Sequence, residues 1–323
     1  MLRRTFLSLS VGATLSGTRN AAAQQPQRQR RIAFVHSGIA ADKLTEKDGP
    51  FWVRRFYAEL RRLGHEEGKN LAVERFSAGG SSSRFAPLAA EVTARKPDVI
   101  VANHNFLVRA LLGATGTIPI VAITTDPVAS KLIASFARPG ANLTGVSVIA
   151  GPGVVSKRLQ ILKEIVPLAV NVVYLQSSGV EDEISGLPLL SKLLPEVDEQ
   201  HLRRAFAEMA EQKVGAALIS DGGSYLAQKD LIVALAARHR LPVMYPYRDY
   251  TEAGGLIAYA PDLAELAARM ASDVNEILKG ADAGNIPYFQ PTKFELVVNL
   301  KAANALDLTM PPTLLALANE VIE

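Results

Sequence analysis

The chain has no cysteine among its 323 residues. It therefore has no disulfide, no thiolate nucleophile, no thiolate metal site and no cysteine for lipid attachment after export. Apolar cores alone must hold it, and a chain of this length can build them. Beyond the N-terminus no apolar run approaches the ~20 residues that a bilayer span needs. The five histidines, His36, His65, His104, His201 and His239, show no ligand spacing, so no metal is expected. Neither G-x-S-x-G nor S-x-x-K occurs, and a hydrolase would need a constellation that sequence does not reveal. No cofactor and no enzymatic activity are expected.

A cluster of one charge sign is also missing. The formal net charge is +3, and the first 23 residues hold three arginines and no acid. Without them the chain is electrically neutral, which argues against nucleic acid or an anionic membrane as partner.

Residues 1–23 read as an export signal. Arg3 and Arg4 precede a weakly apolar run from Phe6 to Leu15, and Ala21, Ala22 and Ala23 offer a small-residue cleavage site. Arg3, Arg4, Thr5, Phe6 and Leu7 also resemble the twin-arginine signature, so the general secretory and twin-arginine routes both stay open. Residues 24–30 form a tail. The expectation is a soluble, monomeric protein of the periplasm.

The remaining chain alternates short apolar runs with amphipathic ones. Strands are expected at 31–36, 71–76, 98–102 and 118–123, with helices from about 48, after Ser81–Ser83, and at 106–112. Trp52, Phe56, Leu60 and Leu63 share one helical face, and Gly64 ends it. Each β is followed by α, so the fold class is α/β with a parallel, doubly wound sheet. The stretch RPGANLTGVSVIAGPGVVSKRLQILKEIVP, 138–167, is a candidate waist: a turn, an apolar alternation and a long amphipathic helix. A second set follows it, with strands at 171–176, 216–220, 242–247, 256–259 and 294–299. Its helices are expected at 199–212, 226–239, 262–278 and 313–318. Two lobes with a cleft between them are expected.

The leader and five further segments resemble one large family, the substrate-binding proteins of ABC transporters, in the branch with tryptophan- and tyrosine-type binding proteins. The five are, in chain order, IPIVAITTDPV at 118–128, RPGANLTGVS at 138–147, KRLQILKEIVP at 157–167, IVALAARHRLPVMYPYRDYTEAGGLIAY at 232–259 and QPTKFELVVNLKAANAL at 290–306. The resemblance implies a periplasmic-binding-protein fold of type 1: two Rossmann-like lobes joined by three crossings, placed near 146–150, 247–249 and 286–294. Lobe 1 would hold 31–146 with 249–285, and lobe 2 would hold 147–248 with 286–323. It further implies a small-molecule ligand, delivery to the transmembrane subunits of an ABC permease, and closure of the cleft around the solute. A ligand sensor of the same fold, or an α/β enzyme, is the alternative. Residues 177–198 contain Gly179, Gly186, Pro188 and Pro195 and are short for a helix plus a strand, so that crossover is expected to be shortened or irregular.

In doubly wound sheets ligands bind beyond the carboxyl ends of the strands. In the first lobe this selects Ser37, Gly38, Ala78, Gly79, Asn103, His104, Thr124, Thr125 and Asp126. In the second it selects Gln176, Ser177, Asp221, Gly222, Tyr225, Tyr245, Tyr247 and Arg248. For an amino-acid-like ligand, Arg248 would take a carboxylate, Asp126 or Asp221 an ammonium, and the tyrosines would form walls. Turn chemistry equally accounts for Asp126 before Pro127 and Asp221 before Gly222, and Arg248 has Asp249 and Glu252 as alternative partners. The run G-P-G-V-V-S at 151–156 approaches the dinucleotide fingerprint, but Ser156 replaces its third small residue and Gln176 stands where the ribose acid belongs. A hinge leading into a helix start explains it better.

Overall fold

The structure, a computed structural model, describes residues 29–148, 153–176, 187–194 and 196–323. The leader and the first part of the 177–198 crossover lie outside them.

The first sheet has five parallel strands in the order β2-β1-β3-β4-β5. They are β1 (Arg30–His36), β2 (Leu71–Ser77), β3 (Val99–Asn103), β4 (Ile120–Thr124) and β5 (Leu143–Ser147). Every residue of β3 and β4 is buried, as expected for strands covered on both faces by helices. Three of those helices are α1 (Phe51–Arg62), α2 (Phe85–Ala94) and α3 (Asn105–Ala114). α1 buries Trp52, Phe56 and Leu60 against Phe34 of β1, and Gly64 follows its end with φ +92°.

The second lobe opens with α4 (Val154–Ile165), β6 (Val172–Gln176), β7 (Leu190–Leu193), α5 (Glu199–Glu211) and β8 (Ala216–Ile219). Then come α6 (Gly223–Ala227), α7 (Lys229–Arg238), β9 (Val243–Tyr245), α8 (Arg248–Glu252) and β10 (Ile257–Pro261). After α9 (Leu263–Leu278) the chain forms β11 (Phe294–Asn299), α10 (Leu300–Ala305), α11 (Pro312–Leu317) and β12 (Glu320–Ile322). The sheet order is β12-β11-β10-β9-β8-β6-β7, parallel throughout except where β11 runs against β10. Among the described residues no helix is long and apolar enough to cross a membrane.

Two sequence expectations are corrected. The helix expected at 226–239 is two, because the chain turns at Gln228 between α6 and α7. In the 177–198 crossover, expected to be shortened or irregular, the described residues form a four-residue strand, β7, which pairs with β6 from Val173↔Leu190 to Gln176↔Leu193. The second crossing lies later than 247–249, because β10 is an inner strand of the second sheet, with Ile257 opposite both Met244 and Val298. Residues 248–261 thus belong with lobe 2, and the chain returns to lobe 1 at Asp262, where α9 packs along α1.

The second and third connections lie side by side, and the third runs along β5. Phe289 bridges β5, its N–H donating to Gly145 O and its carbonyl accepting from Ser147 N–H, both at 2.8 Å, and Asp262 N–H donates to Lys293 O at 3.0 Å. Residues 286–288 are laced to lobe 1, where Ile286 O accepts from Thr144 Oγ1 at 2.8 Å and Pro287 O from Arg269 Nη2 at 3.0 Å.

Candidate functional site

In a sheet ordered 2-1-3-4-5 the crevice opens where the winding reverses, between the first and third strands. Both lobes use this order locally, β2-β1-β3 in one and β7-β6-β8 in the other. The first reversal lies at the ends of β1 and β3. Ser37 N–H donates to Asn103 Oδ1 at 2.7 Å, and Asn103 Nδ2 returns a bond to Ser37 Oγ at 3.1 Å. His36 shapes the turn, its Nδ1 accepting from Gly38 and Ile39 N–H at 3.0 and 2.8 Å. Burial, with His104 nearby, pushes its pKa down to about 3, so the ring is neutral at ordinary pH and suited to accept.

The second reversal lies at the ends of β6 and β8, and its loop from Ser220 to Ser224 meets the first rim. A Cβ at Gly223 would fall 2.7 Å from Ser37 Oγ and 3.2 Å from Asn103 Nδ2. One at Gly38 would fall 2.9 Å from Gly223 O. Only glycines let the two backbones approach this closely.

His104 is the strained residue of the rim. Its φ is +73°, unusual for a side-chain-bearing residue, and its ring is packed between Phe85 and Phe106 at 5.5 and 5.7 Å. Nδ1 is buried with no hydrogen-bond partner. Burial lowers its pKa, and Asp221 across the seam opposes that shift. Phe106, 58% exposed, is an apolar surface beside this ring.

Sequence reasoning missed Arg158. It sits in the second turn of α4, and its side chain reaches the residues just beyond β8 and β9 and the middle of β10. Nε donates to Tyr259 O at 2.8 Å, Nη2 to Pro246 O at 3.4 Å, and Nη1 stands 4.0 Å from Asp221 Oδ2. The side chain is 2% exposed. Tyr247 Oη donates to Asp221 O at 3.0 Å, which fixes the loop that carries the carboxylate.

The structure thus gathers Ser37, Gly38, Asn103, His104, Asp221 and Gly222 along one seam. Several other expected positions are engaged in contacts of their own. Tyr225 and Tyr245 are core residues, the latter stacked on Tyr250 at 4.9 Å. Thr124 bonds the Tyr288 hydroxyl at 2.7 Å beside the connections. Thr125 is tied to Asn105 through its N–H and its hydroxyl. Asp126 accepts from Val128 and Ala129 N–H at 3.0 and 2.9 Å, the turn-forming role. Arg248 is held by Glu252, Glu295 and Glu320. Ser177 lies outside the described residues.

Arg248 and its neighbours join the lobes at a second place. Phe51 N–H, at the start of α1, donates to Asp249 Oδ1 at 2.8 Å, the Arg248 guanidinium covers the Phe51 ring at 4.3 Å, and Arg54 pairs with Glu252 at 3.6 Å. Glu196, Asp198 and His201 also converge, but Asp198 there caps α5 by accepting from His201 N–H at 2.8 Å.

Comparison with known proteins agrees with this geometry. A tyrosine-binding protein of Clostridioides difficile (strain R20291) is 24% identical over 267 residues, 78% of this chain and 75% of that one. A conserved domain protein from Vibrio cholerae superposes with a TM-score of 0.78 at 24% identity, covering 91% of this chain and 100% of the other. An ABC domain in complex with L-Trp from Streptococcus pneumonia gives 0.77 at 21% identity, with the same coverage. The fold is that of the type 1 periplasmic binding proteins. The family described as ABC transporter substrate binding protein matches residues 52–322, from α1 to the last strand, and the chain belongs to it.

Proposed function

We propose that the protein is the exported receptor of an ABC importer, capturing an amino acid between its lobes in the periplasm and presenting it to a membrane permease. The observation that carries this reading is the seam itself: two winding reversals, one per lobe, face each other, with Gly38 of one rim against Gly223 of the other. A solute touching both rims stabilises the closed form over the open one, and the permease reads the closed surface. The amino-acid class rests on the C. difficile relative, described as tyrosine-binding, and on the L-Trp complex from S. pneumonia. A rim of amides, serine hydroxyls, one histidine and one carboxylate suits hydrogen bonding to a polar solute.

Thermal unfolding against a panel of amino acids tests the reading. A solute at 100 times its Kd adds about 2.7 kcal/mol of stability. At least one amino acid is expected to raise Tm and to be recovered unchanged. No shift with any amino acid, or conversion of the solute, would refute it.

A further inference from the structure

Burying a guanidinium is costly unless its donors and its charge are matched. Arg158 is matched only in part. Two of its five N–H groups meet carbonyls, of Tyr259 and Pro246, and Nη1 reaches a carboxylate only at 4.0 Å, beyond hydrogen-bond distance. Asp221 is in the same condition: among the described residues its carboxylate accepts no hydrogen bond, and the loop is pinned by Tyr247 through the backbone instead. Across the seam His104 Nδ1 is buried and without a partner. Arg158 and Asp221 thus stand together in lobe 2 with unmet hydrogen-bonding capacity, and His104 lies across the seam in lobe 1, near enough for the Asp221 charge to act on its ring.

We propose that Arg158 and Asp221 read the charged head of an α-amino acid, Arg158 pairing with its carboxylate and Asp221 with its ammonium. The dimensions agree. The ammonium nitrogen and carboxylate carbon of an α-amino acid lie about 2.5 Å apart, so one head group can lie alongside two opposite charges held 4.0 Å apart. The tie of Nε to Tyr259 O fixes the guanidinium plane, leaving the Nη1 side for a carboxylate. His104 closes over the head from the other lobe, so the contact that selects the ligand also joins the rims. The solute enters while the lobes are apart, and closure buries its charges.

The inference rests on the solute-capture reading, and the experiment separates the two. Calorimetry compares the best-binding amino acid with its decarboxylated amine and its deaminated acid, on wild type, Arg158→Gln, Arg158→Lys and Asp221→Asn. Wild type is expected to reject both analogues. Arg158→Gln is expected to lose about 10- to 100-fold in affinity for the amino acid and to discriminate less against the amine. Asp221→Asn is expected to lose similarly and to discriminate less against the acid. Arg158→Lys, which keeps the charge, is expected to lie between wild type and Arg158→Gln and guards against a folding defect in the latter. If wild type binds an amino acid but the variants weaken all three compounds equally, or not at all, this assignment is wrong and the receptor reading stands. If wild type binds no amino acid, both fall.

Discussion

Asp249 links the lobes by capping a helix that belongs to the other one. Pro50 occupies the N-cap of α1 and supplies no side-chain acceptor, and the first turn carries no acidic residue. The N–H of Phe51 is instead satisfied by a carboxylate 198 residues away. When the lobes separate, water must replace that acceptor. An N-cap is worth typically about 1 kcal/mol. The neighbouring contacts add about 0.5–1 kcal/mol for Arg248 on the Phe51 ring and less for Arg54 with Glu252, both of which are more than one-third exposed. Asp249 is 3% exposed, and burial raises its pKa, so part of the gain is offset by its desolvation. Asp249→Ala should therefore shift the open-to-closed ratio about fivefold toward open, corresponding to about 1 kcal/mol, and weaken solute binding by up to the same factor. Asp249→Asn keeps an acceptor oxygen and should stay near wild type. Because the chain has no cysteine, spin labels at Ser83→Cys and Asp230→Cys, exposed positions with one in each lobe, report the distance distribution cleanly. An Asp249→Ala distribution identical to that of wild type would refute the capping argument.

Three further outcomes follow from the same geometry. Gly223→Ala sets a Cβ 2.7 Å from Ser37 Oγ, so the rims cannot meet unshifted; small-angle scattering should show a more open protein, and calorimetry weaker solute binding. Asp273, buried in α9 against Arg269, has its pKa raised to about 7, chiefly by burial. Its unfolded value is near 4, so the folded chain holds a proton the unfolded chain has lost between about pH 4 and pH 7, and the penalty grows with pH and is complete above 7. Asp273→Asn should then stabilise the protein at pH 8, by up to on the order of 4 kcal/mol, and do little at pH 4, as read from thermal unfolding at both values. Thr124→Val removes a bond to the Tyr288 hydroxyl, which still donates to Ala122 O at 3.1 Å; urea unfolding should show a loss of about 1 kcal/mol while solute affinity holds.

Elements whose signal is local were legible. The i, i+4 face of Trp52, Phe56 and Leu60, the apolar runs of β3 and β4, and the glycine after α1 each state their structure within a few residues. The second crossing was not legible, because nothing in IAYAP says which sheet it joins. Membership of β10 in lobe 2 is decided by Met244 on one side and Val298 on the other, and by the reversal of direction at β11. β7 was masked by Pro188 and the glycines before it, although four residues suffice for a paired edge strand.

The site divides along the same line. That ligands lie beyond strand ends is a rule of topology, so Ser37, Asn103, His104 and Asp221 could be named from strand boundaries alone. Which side chains at those ends face the cleft depends on partners far along the chain. Arg248, the expected carboxylate binder, is claimed by Glu295 and Glu320, 47 and 72 residues later. Arg158 stands beside Lys157 on an amphipathic helix and reads as part of a solvated face. It is buried because side chains on a helix lean toward its N-terminus, and the N-terminus of α4 lies at the carboxyl ends of the second sheet. That lean brings the guanidinium to Tyr259 O, Pro246 O and Asp221, positions up to 101 residues away. A cation delivered to the cleft by a helix is thus found only after the sheet order is known. In the proposed reading it takes the part that the local sequence had assigned to Arg248.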